Sequence, residues 1–220
     1  MIQFIGALIS GLNLGSIYAL IALGYTMVYG IAKMLNFAHG DIIMVGAYSV
    51  IVSAVTLKLP PIVAILIAVV VCAALGVTIE FLASRPLRQS PPLAVLITAI
   101  GVSYLLQNVA LLIFGSNARQ FTSVVNVPSL KLAGGALSIS GVTLVTIITC
   151  IVIMVGLMLF VQKTKPGRAM QAVSEDRDAA QLMGVNVNAT ISLTFAIGSG
   201  LAAIAGLLLC QTYPTLTPYT

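Results

Sequence analysis

The chain has 220 residues, of which 60% are hydrophobic and only 7% are charged. A water-soluble domain of this size neither needs nor easily tolerates so apolar a composition, which excludes an ordinary soluble protein and indicates a membrane protein. Its charged residues are clustered, and several stretches between the clusters exceed the roughly 20 apolar residues that cross a bilayer core.

Six membrane-spanning helices are predicted, in a single transmembrane domain over residues 1–220. The predicted spans are 4–29, 37–57, 62–83, 93–114, 142–162 and 190–211. None has the strict polar and apolar alternation of a barrel strand, so the predicted fold class is all-α, a polytopic transmembrane helical bundle.

Small residues recur at helical spacing in the first and sixth spans. Gly11 and Gly15 lie in the first, and Gly198, Ala202 and Gly206 lie at intervals of four in the sixth. Because lipid supplies no hydrophobic force that pairs helices, close backbone approach at small residues does much of that work. The pattern predicts helix packing at these positions, with the sixth span inside the bundle or at a contact between subunits.

The stretch NFAHGD, Asn36 to Asp41, contains the only histidine of the sequence and leaves two placements open. If Asn36 caps the second helix, His39 and Asp41 lie in its first turns at the headgroups, where the helix dipole stabilises an acid. If Asp41 is the cap, the helix is short. The preceding residues then lie in the membrane as non-helical backbone, which requires surrounding protein or a water-filled path.

The segment 163–189, between the fifth and sixth spans, is the most highly charged. A helical projection places its small and apolar residues together with Asp176 on one arc, where an acid needs a partner. One bent helix or two short ones fit equally, with Ser174 as a possible cap of the second and Gly184 as its end. The pattern predicts a compact amphipathic element; a solvated connector that only fixes topology is the alternative.

Counting lysine and arginine in the loops predicts orientation, because cytoplasmic loops carry the excess. With 163–189 in the cytoplasm, seven of these residues lie on that side: Lys33, Arg85, Arg88, Lys163, Lys165, Arg168 and Arg177. The other side has Lys58, Arg119 and Lys131. This distribution places the amino terminus outside, and it explains the net charge of +5 without nucleic acid as a partner.

No self-sufficient active site is predicted. The single histidine has no second ligand at a useful interval, and Cys72, Cys150 and Cys210 lie singly in apolar spans, so no catalytic residue, metal or cofactor is expected. A proton relay needs further intramembrane acids, but Glu80 is the only other one, and snorkelling or ion pairing near Arg85 is expected of it. The phosphate loop of nucleotide hydrolases is also missing.

Three stretches together resemble one family. They are GLNLGSIYALIALGYTMVYGIAKMLNFAHGDIIMVGAY at 11–48, EFLASRPLRQSPPLAVLITAIGVSYLLQN at 80–108, and GRAMQAVSEDRDAAQLMGVNVNATISLTFAIGSGLAAIAGLL at 167–208. They are similar to the permease subunit of branched-chain amino acid ABC importers, of the kind that pairs with a second, related permease. The resemblance extends through nearly the whole chain.

The resemblance implies a multi-pass permease of the bacterial inner membrane that takes up leucine, isoleucine and valine. Its implied partners are a second permease, two cytoplasmic ATPases and an external binding protein. Segment 163–189 matches the family's coupling segment, which implies ATPase contacts at Gly167, Arg168, Ala172, Glu175, Asp176, Ala179, Ala180 and Gly184. The NFAHG signature implies a path or gate at Asn36, Phe37, His39, Gly40 and Asp41.

Other functions are weighed against this one. Related importers carry urea, amides or other amino acids, so the substrate is the least determined feature. An ion-coupled carrier or channel would use His39 and Asp41, but the expected series of buried ionisable groups is missing from the sequence. An integral membrane enzyme lacks a convergent polar set. Since family members usually continue beyond the region matching QTYPTLTPYT, we expect the family's carboxyl-terminal helices to be absent.

Overall fold

The computed structural model describes residues 2–121, 128–132 and 137–217. Eight α-helices form within these ranges: α1 Ile2–Ala32, α2 His39–Ile51, α3 Pro61–Ile79, α4 Pro92–Phe114, α5 Gly141–Lys163, α6 Lys165–Glu175, α7 Arg177–Leu182 and α8 Val187–Thr212. A π-helical turn extends α2 over Val52–Thr56 and α3 over Glu80–Ser84. Within the described residues, six helices are long and apolar enough to cross a membrane, which confirms the predicted all-α polytopic bundle.

The helix boundaries follow from local sequence. Pro61 and Pro92 occupy the first turns of α3 and α4, where a missing backbone N–H costs nothing. Side-chain caps begin two later helices: Thr164 accepts from the N–H of Gly167 at 3.1 Å, and Asn186 from the N–H of Ala189 at 3.0 Å.

Short strands lie in the connections at the end of the bundle opposite α6 and α7. The described residues include β1 Arg119–Gln120, β2 Leu130–Leu132, β3 Leu137–Ile139 and β4 Thr215–Leu216. β1 pairs antiparallel with β4, Arg119 opposite Leu216, and β2 pairs antiparallel with β3, Leu130 opposite Ile139. The first pair ties the segment after α4 to the segment after α8, since each strand follows its helix within a few residues.

The central element is α8, against which α1, α2 and α3 all pack. A Cβ built on Gly206 would lie 2.5 Å from the carbonyl oxygen of Ile43 in α2. One built on Gly198 would lie 3.0 Å from that of Gly24 in α1, and Ala202 between them is fully buried. The small side of α8 therefore brings its backbone close to two neighbouring helices.

The pair on α1 is placed differently. Gly11 and Gly15 are exposed, and a Cβ built on either would meet nothing within 4 Å. Their role in helix packing remains a prediction, now for contact with another chain. Gly76 of α3, which the spacing argument did not single out, packs its backbone against Ser199 of α8.

Substitution of Gly206 by alanine is expected to lower the free energy of unfolding by about 1–3 kcal/mol, because the added methyl overlaps backbone that cannot move away easily. Gly101→Ala on the open face of α4 is the matched control, with an expected change within about 0.5 kcal/mol. Unfolding can be followed with a thiol-reactive dye, since Cys72, Cys150 and Cys210 are all buried. Equal effects of the two substitutions would contradict close packing at Gly206.

Candidate functional site

The linker between α1 and α2 turns back into the bundle. Lys33, the first residue after α1, has a positive φ of 51°, and the chain then continues without helix to His39. His39 lies beside Gly24: a Cβ built on Gly24 would be 3.1 Å from its Cε1 atom and 3.0 Å from the carbonyl oxygen of Gly198. Gly24 precedes the end of α1 by two turns, so the start of α2 lies roughly 12 Å inside that end.

The burial of NFAHGD is mixed: Asn36, His39 and Asp41 are buried, whereas Phe37 is 46% exposed. The position of this stretch relative to the headgroups remains a prediction. Both expected side-chain caps are wrong: α2 begins at His39 after Ala38, without a side-chain cap. The reason is that the Asn36 carbonyl accepts the N–H of His39 in a turn, at 3.2 Å, while the carboxylate of Asp41 faces α4.

Buried polar side chains cluster at the start of α2. Asp41 Oδ1 accepts a hydrogen bond from Gln107 Nε2 of α4 at 2.9 Å, and the same nitrogen lies 3.3 Å from Ser103 Oγ. His39 packs edge-on against Tyr25, and its Nε2 atom has no hydrogen-bond partner among the described residues. Gln107 was not predicted as a site residue. A polar glutamine inside the apolar span 93–114 could have indicated a buried polar contact there.

Three cavities follow α4 from one end to the other. A wide one of about 670 Å³ lies at its start, beside Lys33, Val95 and the α6–α7 junction. A narrow crevice of about 10 Å³ comes next, lined by Asn36, Thr98 and Val102 among others. Beyond Gln107 lies an apolar cavity of about 420 Å³, between α2, α3 and α4. The narrowest of the three is therefore the one bordered by NFAHGD.

Segment 163–189 forms two short helices, α6 and α7, not one bent helix. Asp176 is the cap of the second, a role expected of Ser174: its Oδ1 accepts from the N–H groups of Asp178 and Ala179, at 2.9 and 3.0 Å. Its extended backbone, with φ at −148°, breaks the helix, so the projected arc does not hold across it. Asp176 is exposed and already satisfied, and Gly184 ends the element with φ at +85°.

The eight predicted coupling residues divide by exposure. Gly167 and Ala180 are buried against the bundle, whereas the others are wholly or largely exposed: Arg168, Ala172, Glu175, Asp176, Ala179 and Gly184. Leu182 and Met183, which are 88% and 85% exposed at the end of α7, were not among the predicted coupling residues. Two large apolar residues directly before the terminating glycine were the available signal.

Polar contacts fasten this segment to the spans. The Arg177 guanidinium donates to the carbonyl oxygen of Ala32, at the end of α1. Glu80, fully buried at the end of α3, accepts from Arg88 and, at 2.6 Å, from Ser192 of α8. The acid is thus paired with Arg88, which confirms the expected ion pairing at this end of the helix, while Arg85 lies over the ring of Phe81.

Arg88 bridges two elements. Its Nη2 bonds Glu80 and its Nη1 donates to Asn188 Oδ1 at 2.5 Å, near the start of α8. Burial lowers the pKa of the Arg88 guanidinium, and the charge of Glu80 opposes this shift. The Glu80 carboxylate therefore offsets part of the cost of burying the charge of Arg88.

Within the described residues, six helices that can span a membrane, with buried polar side chains between them, form the bundle of a multi-pass membrane protein. The chain belongs to the family of branched-chain amino acid transport system permease components, which matches residues 7–219. As a multi-pass permease of the inner membrane, it is one component of a transport system.

Individual relatives cover nearly all of the chain. It is 39% identical to the high-affinity branched-chain amino acid transport system permease protein LivH of Escherichia coli, over 99% of this chain and 74% of the relative. Identity to LivH of Salmonella typhimurium is 38% over the same shares. Identity to BraD of Pseudomonas aeruginosa is 37% over 98% and 74%. The chain is shorter than these relatives, and no solved structure matches it.

Proposed function

We propose that the chain forms the translocation path of an ATP-driven importer for branched-chain amino acids. The match to the permease family over residues 7–219 carries this proposal, since it spans both NFAHGD and segment 163–189. The proposed partners are a second homologous permease, two cytoplasmic ATPases and an external substrate-binding protein. The chain itself, within the lipid bilayer, would carry out no catalysis.

The proposed path follows the cavities along α4. Asn36 borders the narrow crevice between the two wider cavities. This position fits a gate formed by the linker between α1 and α2 and the start of α2, with Phe37, His39, Gly40 and Asp41 nearby. Such non-helical backbone at membrane depth is tolerated where it lines a cavity or is buried in protein. With the amino terminus outside, the wide cavity near Lys33 would open to the cytoplasm.

The proposed coupling surface is the exposed side of α6 and α7. Arg168, Ala172, Glu175, Asp176, Ala179 and Gly184 would contact an ATPase there, and Leu182 and Met183 extend the surface with apolar side chains. Gly167 and Ala180, on the buried side of the segment, would contribute indirectly, because their small size lets the segment pack closely on the spans. A Cβ on Gly167 would collide with backbone of α5, so the segment is held tightly to the preceding helix.

The hydrogen bonds between the coupling surface and the spans support a transfer of motion from α6 and α7 to the bundle. Arg177 joins the surface to the end of α1, directly before the linker between α1 and α2, and Arg88 joins α8 to the end of α3. A displacement of α6 and α7 by an ATPase would therefore act on the helices that border NFAHGD. Ion-coupled transport by His39 and Asp41 is the second candidate, and it predicts a flux driven by a proton gradient alone.

The importer function predicts that vesicles containing this chain, the second permease, both ATPases and the binding protein accumulate radiolabelled leucine only with ATP. Vesicles without the ATPases are the control. Leucine accumulation that persists without ATPases, or that follows an imposed proton gradient and is lost on His39→Ala, would overturn the proposal. Urea and acetamide tested as competitors distinguish the other substrates of this architecture.

A further inference from the structure

An acidic side chain lies buried in the bundle, and no described residue places a cation beside it. Asp41 is only 6% exposed. Among the described residues its carboxylate accepts one hydrogen bond, from the neutral amide of Gln107, and it forms no ion pair. Ionisable groups at membrane depth are costly and normally find an opposite charge or face a path. The Asp41 carboxylate therefore has a neutral partner but no charged one among the described residues.

This acid stands next to the apolar cavity between α2, α3 and α4. Val45, which lines the cavity, follows Asp41 by one helical turn and so shares its face of α2. Leu106 and Ala110, also in the lining, flank Gln107 on α4. The volume of about 420 Å³ falls within the range of small-molecule sites. The Asp41–Gln107 pair thus lies within one helical turn of residues that line an apolar pocket.

We propose that these two features form an amino-acid subsite within the path. The Asp41 carboxylate binds the ammonium group of the substrate, and the cavity lined by Val45, Leu106 and Val109 binds its branched hydrocarbon side chain. Gln107 is a positioning residue that holds the carboxylate toward α4. The inference rests on the proposed function, because import of branched-chain amino acids supplies a ligand with both groups.

Charge complementarity favours this occupant over a lipid. An acyl chain would fill the apolar cavity equally well, but it would leave Asp41 without a cation. A branched-chain amino acid satisfies both features at once, since its ammonium and its side chain leave the same carbon atom. The site would therefore select against organic acids of the same shape, which lack the ammonium group.

Saturable binding of radiolabelled leucine to the complex of this chain, the second permease and the ATPases, in nanodiscs without binding protein, tests the subsite. Asp41→Asn is expected to weaken binding about tenfold or more, because asparagine keeps the bond from Gln107 but loses the charge. Asp41→Glu should retain part of the affinity. Lys58→Gln, which removes a charge at an exposed position outside the linings of the three cavities and outside the coupling surface, is the control and should bind as the unaltered complex does.

A competitor series separates the ammonium contribution. In the unaltered complex, 4-methylpentanoate, which lacks the ammonium group, should compete at least about tenfold more weakly than unlabelled leucine. For Asp41→Asn the two competitors should differ little. Equal competition in the unaltered complex, or normal leucine binding to Asp41→Asn with unchanged thermal stability, would overturn the subsite.

A second pair of variants tests the apolar half. Val109→Phe fills the cavity from a half-exposed position and should weaken leucine binding about tenfold, whereas Val152→Phe on the exposed face of α5 should not. Unchanged leucine binding to Val109→Phe would assign the cavity to lipid. The proposed function fails separately, by the absence of ATP-dependent uptake in the unaltered complex, so the two outcomes are distinguishable.

Discussion

Replacement of Glu80 by alanine is expected to lower the free energy of unfolding by about 3–5 kcal/mol, the usual cost of leaving one partner of a buried ion pair alone. The Glu80 side chain is fully buried, and the side chain of Arg88 is 13% exposed. Without the carboxylate, the guanidinium would remain buried with Asn188 as its only partner among the described residues. Ser192 would lose its acceptor as well.

The double variant Glu80→Leu with Arg88→Met tests this reason. It removes both charges and should recover much of the lost stability, because apolar replacements of a buried pair are often neutral. Glu175→Ala, at an exposed acid, is the matched control, with an expected change within about 0.5 kcal/mol. The thiol-reactive dye described for Gly206 measures all three. A loss for Glu80→Ala no larger than that for Glu175→Ala would rule out a stabilising role for the pair.

Substitution of Leu182 and Met183 by aspartate is expected to reduce ATP-dependent leucine uptake about tenfold or more while leaving the chain folded. Both side chains are almost fully exposed in the chain, so their loss removes little internal packing. Large apolar residues at the centre of an interface typically contribute about 1–3 kcal/mol each, and a charge there adds a desolvation cost. Uptake and retention of the ATPases in a pulldown are the measurements.

The neighbouring exposed Gln181→Asp is the control, since it adds one negative charge beside the same residues while keeping both apolar side chains. It should leave both readouts close to those of the unaltered chain. Ala180→Arg is a poorer probe, because Ala180 is 4% exposed and an arginine there disturbs packing as well as any interface. ATPase retention unchanged by the double aspartate variant would remove Leu182 and Met183 from the coupling surface.

The spans were predictable because they depend on composition alone. Each needs only about 20 apolar residues, and all six predicted spans correspond to helices whose ends lie within a few residues of the predicted ones. The start of α2 could not be predicted in this way. Whether Asn36 or Asp41 capped it depended on partners elsewhere, and the carboxylate found Gln107, 66 residues further along the chain.

The segment 163–189 divides along the same line. Its presence, its amphipathic character and its end at Gly184 were readable, since glycine supplies the positive φ that a helix end often needs. The break at Asp176 was not, because a helical projection assumes unbroken geometry. The sequence cannot distinguish an aspartate that caps a helix from one that lies on an apolar helix face, and only the backbone conformation at Asp176 does so.

The sequence by itself therefore determined the solvent, the fold class, the spans and the family, all of which depend on the distribution of apolar residues and on local motifs. The tertiary structure alone decided that Asn36, His39 and Asp41 are buried, that Glu80 pairs with Arg88, and that Gln107 is the partner of Asp41. The physical reason is that a polar group in a membrane takes whichever partner the packing of helices brings near. Sequence distance does not fix that choice.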